Sequence, residues 1–155
     1  LKGERIRVHG DYHLGQILVT DGDFYILDFE GEPESTIRDR KVKQPPLKDV
    51  AGLFRSFHYA IYATVFNNPE SYNRSQEELF KAAEILYSYL TSVFLGTYTD
   101  EIQNANLNIG YNQERIFILK YCLLEKAVYE IGYELNSRPQ WALIPLKGIS
   151  NIINH

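Results

Sequence analysis

Two acidic loops flank a short apolar ribbon in this 155-residue chain. The first reads His9-Gly10-Asp11-Tyr12-His13-Leu14-Gly15-Gln16, and the second reads Asp28-Phe29-Glu30-Gly31-Glu32-Pro33. Between them, Ile17-Leu18-Val19 and Phe24-Tyr25-Ile26-Leu27 are β-prone runs separated by the turn residues Asp21-Gly22-Asp23, a pattern that predicts a hairpin. A hairpin brings its outer ends together, so Asp11, Gln16 and Asp28 are expected to meet at one end of the ribbon. Carboxylates gathered in one place repel one another. A divalent cation with oxygen ligands, above all Mg²⁺, relieves that repulsion, and a metal beside a spare carboxylate is what phosphoryl transfer requires.

Asp11 is the candidate base: a carboxylate on an acceptor hydroxyl orients it and takes its proton, which is worth about 10² to 10⁴ in rate. Gln16 offers an amide oxygen and Asp28 a carboxylate to the metal. Glu30 and Glu32 fall on one face of an extended chain. Glu30 is read equally as a metal or sugar ligand and as a solvated carboxylate, and Glu32 is expected in solvent. A second reading of the first loop takes His9, Asp11 and His13 as the H-x-D-x-H ligand set of a metallohydrolase. A third takes His9 as a packed histidine that holds the loop backbone.

The order of an Asp, an amide side chain five positions later, a hairpin and then Asp-Phe is that of kinase catalytic and metal-binding loops. The first segment resembles the H-G-D-x-x-x-x-N loop of the aminoglycoside phosphotransferase-like kinases, with Gln16 where most carry Asn. Together with Asp28-Phe29-Glu30-Gly31-Glu32-Pro33, this narrows the resemblance to the maltokinases. The segments from Pro46 to Phe57, Glu125 to Glu130 and Arg138 to Trp141 look like the same family. The resemblance implies a mainly helical fold with a small β hairpin, the carboxy-terminal lobe of a protein-kinase-like (aminoglycoside phosphotransferase-like) fold. It also implies ATP and Mg²⁺ as cofactors and maltose as the acceptor, phosphorylated at C1 to feed α-glucan synthesis, often beside or fused to trehalose synthase. Leu18 resembles the floor of an adenine pocket and reads equally as core, and Glu125, Tyr129 and Tyr133, which repeat every four residues, read equally as a cradle for the sugar and as the edge of an amphipathic helix. Because the chain opens at Leu1 almost directly on the catalytic loop, an amino-terminal ATP-binding lobe is expected to precede it in a longer enzyme. Another small-molecule kinase, for an aminoglycoside, choline or another sugar, and a non-catalytic sugar-binding or interaction module are the alternatives.

Composition narrows the field. The net charge of −4 gives no general attraction to nucleic acid or anionic membrane. Cys122 is the single cysteine, so no internal disulfide forms, and a reducing cytoplasm fits best; its helical, apolar setting marks it as core. No apolar run reaches the roughly 18 residues that a membrane span requires.

The positioning elements follow from periodicity. Residues 34–48 read as a charged, solvated loop, with contact of Arg40 or Lys43 to phosphate or substrate as the alternative. A helix is expected from Lys48 to Asn67-Asn68-Pro69, with Asp49 and Arg55 tying the active-site loop to it and Phe57 and Tyr62 as packing. A second starts at Ser75, whose spacing to Glu78 is a capping box, buries Leu79, Ala83, Leu86, Leu90 and Phe94, and breaks at Gly96. A third runs from Gln113 to Leu135 and buries Phe117, Leu124, Val128, Ile131 and Leu135. An extended tail over Trp141 to Lys147 then leads to a short helix from Ile149 to Asn154.

Overall fold

The hairpin forms as expected. Ile17–Thr20 (β1) and Asp23–Ile26 (β2) pair antiparallel, with Ile17 opposite Ile26 and Thr20 opposite Asp23, so Asp21 and Gly22 alone make the turn. Gly22 adopts φ +89°, the left-handed conformation such a tight turn requires. The computed structural model describes residues 2–67 and 73–154. The rest is helical: α1 (Ile37–Lys41), α2 (Leu47–Asn67), α3 (Gln76–Asn104), α4 (Asn112–Ser137) and α5 (Leu143–Asn154). Asn68 and Pro69, part of the expected stop of α2, lie outside the described residues.

Helix α2 is the axis on which α3 and α4 pack, and α5 packs mainly on α4. Its Leu47, Val50, Ala51 and Phe54 form one cluster with Ile118, Cys122 and Leu123 of α4, and its Tyr62 and Val65 form another with Ala83 and Ile144. Cys122 is core, and burial pushes its thiol up to about 11. Phe57 and Tyr62 pack as expected, Phe57 against Phe94 and Tyr62 stacked on His58. Ile6 bridges Gln44 with two backbone hydrogen bonds, and the Glu114 carboxylate accepts the N–H groups of Lys2 and Gly3, so the first residues are sewn to the helical body. Among the described residues, no helix is long and apolar enough to cross a membrane.

Several elements differ from expectation. Ser75 and Glu78 do form the capping box of α3, but the helix continues through Gly96 to Asn104. A mid-helix glycine costs only about 1 kcal/mol, and Phe94, Leu95 and Tyr98 on either side pack against the core. Of its expected stripe only Ala83 is buried, and Leu86 is exposed. The 34–48 stretch contains α1, started by Thr36, whose hydroxyl accepts the Asp39 N–H. The expected tail is helical, since a turn over Pro139–Ala142 leads straight into α5. Pro145 falls in the first turn of α5, where its missing N–H breaks no helical bond.

Helix α4 buries a different face from the one expected. Phe117, Val128 and Leu135 are exposed, while Ile118, Cys122, Leu123, Ala127, Glu130 and Glu134 are buried. The reason lies in Arg55, which points into the α2–α4 interface rather than toward the active-site loop. Its guanidinium donates to both Glu130 oxygens, with Nη2–Oε2 at 2.7 Å. Leaving a buried guanidinium unpaired costs about 3–5 kcal/mol, a cost that Glu130 removes only from the inner face. The carboxylate face therefore turns inward. One turn on, Glu134 takes two bonds from Arg138, whose guanidinium lies 4.1 Å from the Trp141 ring.

His58 gives the fold a pH dependence. It is buried between the rings of Tyr62 and Tyr87 and faces the positive charges of Arg55 and Lys147, so desolvation first and those charges second depress its pKa to about 2. The folded state therefore holds His58 neutral while the unfolded chain protonates it below about 6.5. Its contribution is complete above that pH and is lost as pH falls toward the folded value. Urea unfolding at pH 7 and pH 5 is expected to show a stability loss about 2 kcal/mol smaller in His58→Phe than in the unsubstituted protein.

Candidate active site

The first acidic loop is held from two sides. The Asp49 carboxylate, in the first turn of α2, accepts the backbone N–H groups of His9 and Gly10 at 2.7 and 2.9 Å. Asp49 thus ties loop to helix as expected. Gly52, one turn further along α2, lies so close to the loop that a Cβ there would stand 2.8 Å from the Tyr12 carbonyl oxygen.

His9 is buried and joins this loop to the second one. Its Nε2 is 2.7 Å from the Leu27 carbonyl oxygen, and its Nδ1 accepts the Asp11 N–H at 3.2 Å. These two bonds fit a neutral ring that donates through Nε2. Its face packs on Phe29, with ring centroids 4.9 Å apart. With both nitrogens engaged, His9 is the packed loop histidine and supplies no lone pair to a metal. The H-x-D-x-H ligand set does not form, and no group of three or more His, Cys, Asp or Glu suited to a metal occurs among the described residues. The loops also touch through glycine: a Cβ at Gly10, where φ is +88°, would stand 3.0 Å from the Cα of Gly31.

Asp11 therefore sits on a backbone fixed by Asp49 below and His9 behind. Its Oδ2 is 3.6 Å from Nε2 of His13, whose Nδ1 accepts the Gly15 N–H and caps the turn Leu14–Gln16. Asp11 lines a cavity of about 250 Å³ together with Glu125 and Tyr129 of α4, so two of the three residues expected to cradle a sugar face the candidate base. Tyr133, the third, is exposed and outside that lining.

Gln16 and Asp28 meet as expected at the mouth of the hairpin. The Gln16 amide nitrogen donates to Asp28 Oδ2 at 3.2 Å, and Leu27 N–H bonds the Gln16 carbonyl beneath them. Asp28 adopts φ +58°, a left-handed conformation that Asp tolerates better than most residues. Mg²⁺ is usually held by one or two protein oxygens, with waters and phosphates completing its shell. A carboxylate beside an amide, whose oxygen and nitrogen exchange places by a simple flip, fits that requirement.

The remaining expected residues divide. Leu18 is 52% exposed on β1. Glu30 is exposed. Arg40 fastens the second loop from within: its Nε donates to the Ser35 carbonyl and its Nη2 to the Pro33 carbonyl. Glu32 is not left in solvent, because it pairs with Lys126 at 3.3 Å, while the Tyr129 hydroxyl donates to Glu34 at 2.8 Å. That hydrogen bond to a carboxylate, foremost, pushes the Tyr129 hydroxyl up to about 12. These two contacts lay the second loop against α4, and sequence reading missed them. Glu30, Glu32 and Glu34 alternate in the loop, opposite the Lys126-x-x-Tyr129 pair of α4, and that charge complementarity was the available signal.

No family model matches the chain. It is 26% identical over 148 residues to the glucosamine kinase of Streptacidiphilus jiangxiensis, covering 96% of this chain and 32% of that protein. To the glucosamine kinase of Mycolicibacterium smegmatis it is 30% identical over 139 residues, covering 88% of this chain and 32% of that protein. The chain thus spans about a third of the length of the curated relatives it matches. Among solved structures, glucosamine kinase in crystal form B superposes with a TM-score of 0.79 at 24% identity, over 97% of this chain and 34% of that one. A glucosamine kinase in complex with glucosamine, ADP and inorganic phosphate gives 0.78 at 24% identity, over 97% of this chain and 35% of that one. The mainly helical fold with its hairpin is therefore that of the corresponding third of a glucosamine kinase.

Proposed function

We propose that this chain is the carboxy-terminal, acceptor- and metal-binding part of an ATP-dependent sugar kinase whose acceptor is an amino sugar of the glucosamine type. One observation carries the reading: the buried His9 imidazole bonds both the Asp11 amide and the carbonyl preceding Asp28, so a cavity-lining carboxylate and a metal-type Asp–Gln pair are locked into one unit. Asp11 orients the acceptor hydroxyl and takes its proton as the phosphoryl group is transferred. Gln16 and Asp28 would hold Mg²⁺, which when bound neutralises phosphate charge. The apolar hairpin is open to solvent at Leu18, Val19, Phe24 and Tyr25, a surface suited to adenine and to an amino-terminal lobe.

The names of the relatives support glucosamine ahead of maltose. The maltokinase-like features, Gln16 and the run from Asp28 to Pro33, keep maltose as the second reading, and a link to trehalose synthase stands or falls with it. The test is a panel of acceptors offered with ATP and Mg²⁺ to the full-length protein. Glucosamine is expected to be phosphorylated with the highest kcat/KM. Transfer to maltose alone would reinstate the maltokinase reading, and sugar binding without transfer to any acceptor would overturn the kinase.

A further inference from the structure

We infer that Arg40 is a positioning residue for the metal pair: it holds the loop that carries Asp28, an inference that rests on the sugar-kinase reading above. The guanidinium commits two of its three nitrogens to that loop, Nε to the Ser35 carbonyl at 3.0 Å and Nη2 to the Pro33 carbonyl at 2.7 Å. Its stem lies against Gly31, where a Cβ would stand 3.2 Å from the Arg40 Cγ. One half-buried side chain therefore meets the loop at Gly31, Pro33 and Ser35. Bonds donated by a cation are stronger than those between neutral groups, and these start from an anchored place. Arg40 stands on α1, and Gln44, just beyond that helix, exchanges two backbone hydrogen bonds with Ile6.

The loop is held on its other flank as well. Gly31 presses on Gly10, next to Asp11, and Glu32 and Glu34 reach Lys126 and Tyr129 of α4. Only Phe29 and Glu30 separate this clamped stretch from Asp28, and Phe29 itself packs on His9. Among the described residues the Asp28 carboxylate accepts one hydrogen bond, the 3.2 Å contact from Gln16. Its place is thus set by the backbone behind it more than by side-chain partners. Mg²⁺ demands near-ideal octahedral geometry, so a loop released at Pro33 and Ser35 presents that carboxylate less often where the ion needs it. Arg40 acts through Asp28 and touches neither phosphate nor sugar.

The experiment compares the full-length protein with its Arg40→Gln and Arg40→Lys variants. The Mg²⁺ concentration that half-saturates transfer to glucosamine is expected to rise about 10-fold in Arg40→Gln, at the lower end of what losing a partner behind a metal ligand does, while kcat at saturating Mg²⁺ and KM for glucosamine stay within about two-fold. Arg40→Lys keeps the charge without the fork of donors, and is expected to fall between the two. With neither metal nor nucleotide present, amide hydrogen exchange over residues 29–36 is expected to quicken in Arg40→Gln and to stay unchanged in α2. An Mg²⁺ dependence like the parent's, or unchanged exchange in the loop, overturns this inference alone. So does a KM for ATP that stays raised at saturating Mg²⁺, which would make Arg40 a phosphate contact. A parent protein that phosphorylates no sugar at any Mg²⁺ concentration overturns the kinase reading and the inference with it.

Discussion

Asp11→Asn in the full-length protein is expected to lower the rate of phosphate transfer by about 10² to 10⁴ while leaving the unfolding midpoint and the affinity for sugar nearly unchanged. The size follows from what is removed. The amide keeps the shape of the carboxylate and can still hydrogen bond to a hydroxyl, but it cannot accept that hydroxyl's proton. The insensitivity of the fold follows from how the loop is held. Asp49 fixes the N–H groups of His9 and Gly10, and His9 fixes the N–H of Asp11. None of these anchors uses the Asp11 side chain. Single-turnover transfer from Mg·ATP, read beside thermal melting, separates the two quantities, and a rate within a few-fold of the parent would remove Asp11 from the chemistry.

The second large effect lies in the core. Arg55→Ala is expected to cost about 3–5 kcal/mol of stability, because it strands Glu130 in the α2–α4 interface without a partner. Burial already raises the Glu130 pKa, so the carboxylate has little hydration to fall back on. The site has no slack on its other side either, since a Cβ at Gly148 of α5 would collide with the guanidinium. Urea denaturation checks the magnitude. Because a buried pair replaced by apolar residues is often neutral, the double variant Arg55→Met/Glu130→Leu is expected to recover most of the loss. Equal destabilisation of the single and double variants would mean that lost packing, rather than the stranded charge, dominates.

What the sequence made legible is the local grammar of the chain. The Asp-Gly turn, the Ser75 capping box and the start of α2 near Asp49 are written in adjacent residues, and each appears in the structure. The meeting of Gln16 with Asp28 follows from hairpin geometry alone. What failed was the choice among faces. Helix α4 has apolar residues on more than one side, and the side that faces inward is chosen by Arg55, some 75 residues away in sequence; no periodicity within α4 contains that information. The same holds for Arg55 itself, Glu32 and Glu34, whose partners lie on other elements. The break expected at Gly96 and the extended tail expected before Ile149 overrated local signals that packing overrode. Residues suited to a reaction can be named by type within one segment, whereas the partners that hold them lie on other elements.

The most direct measurement is a structure of the full-length protein with Mg²⁺, a non-hydrolysable ATP analogue and glucosamine. The account predicts a metal held by Gln16 and Asp28 against the phosphates, with a sugar hydroxyl on Asp11. A sugar lodged away from Asp11, or a metal that touches neither Gln16 nor Asp28, would contradict it.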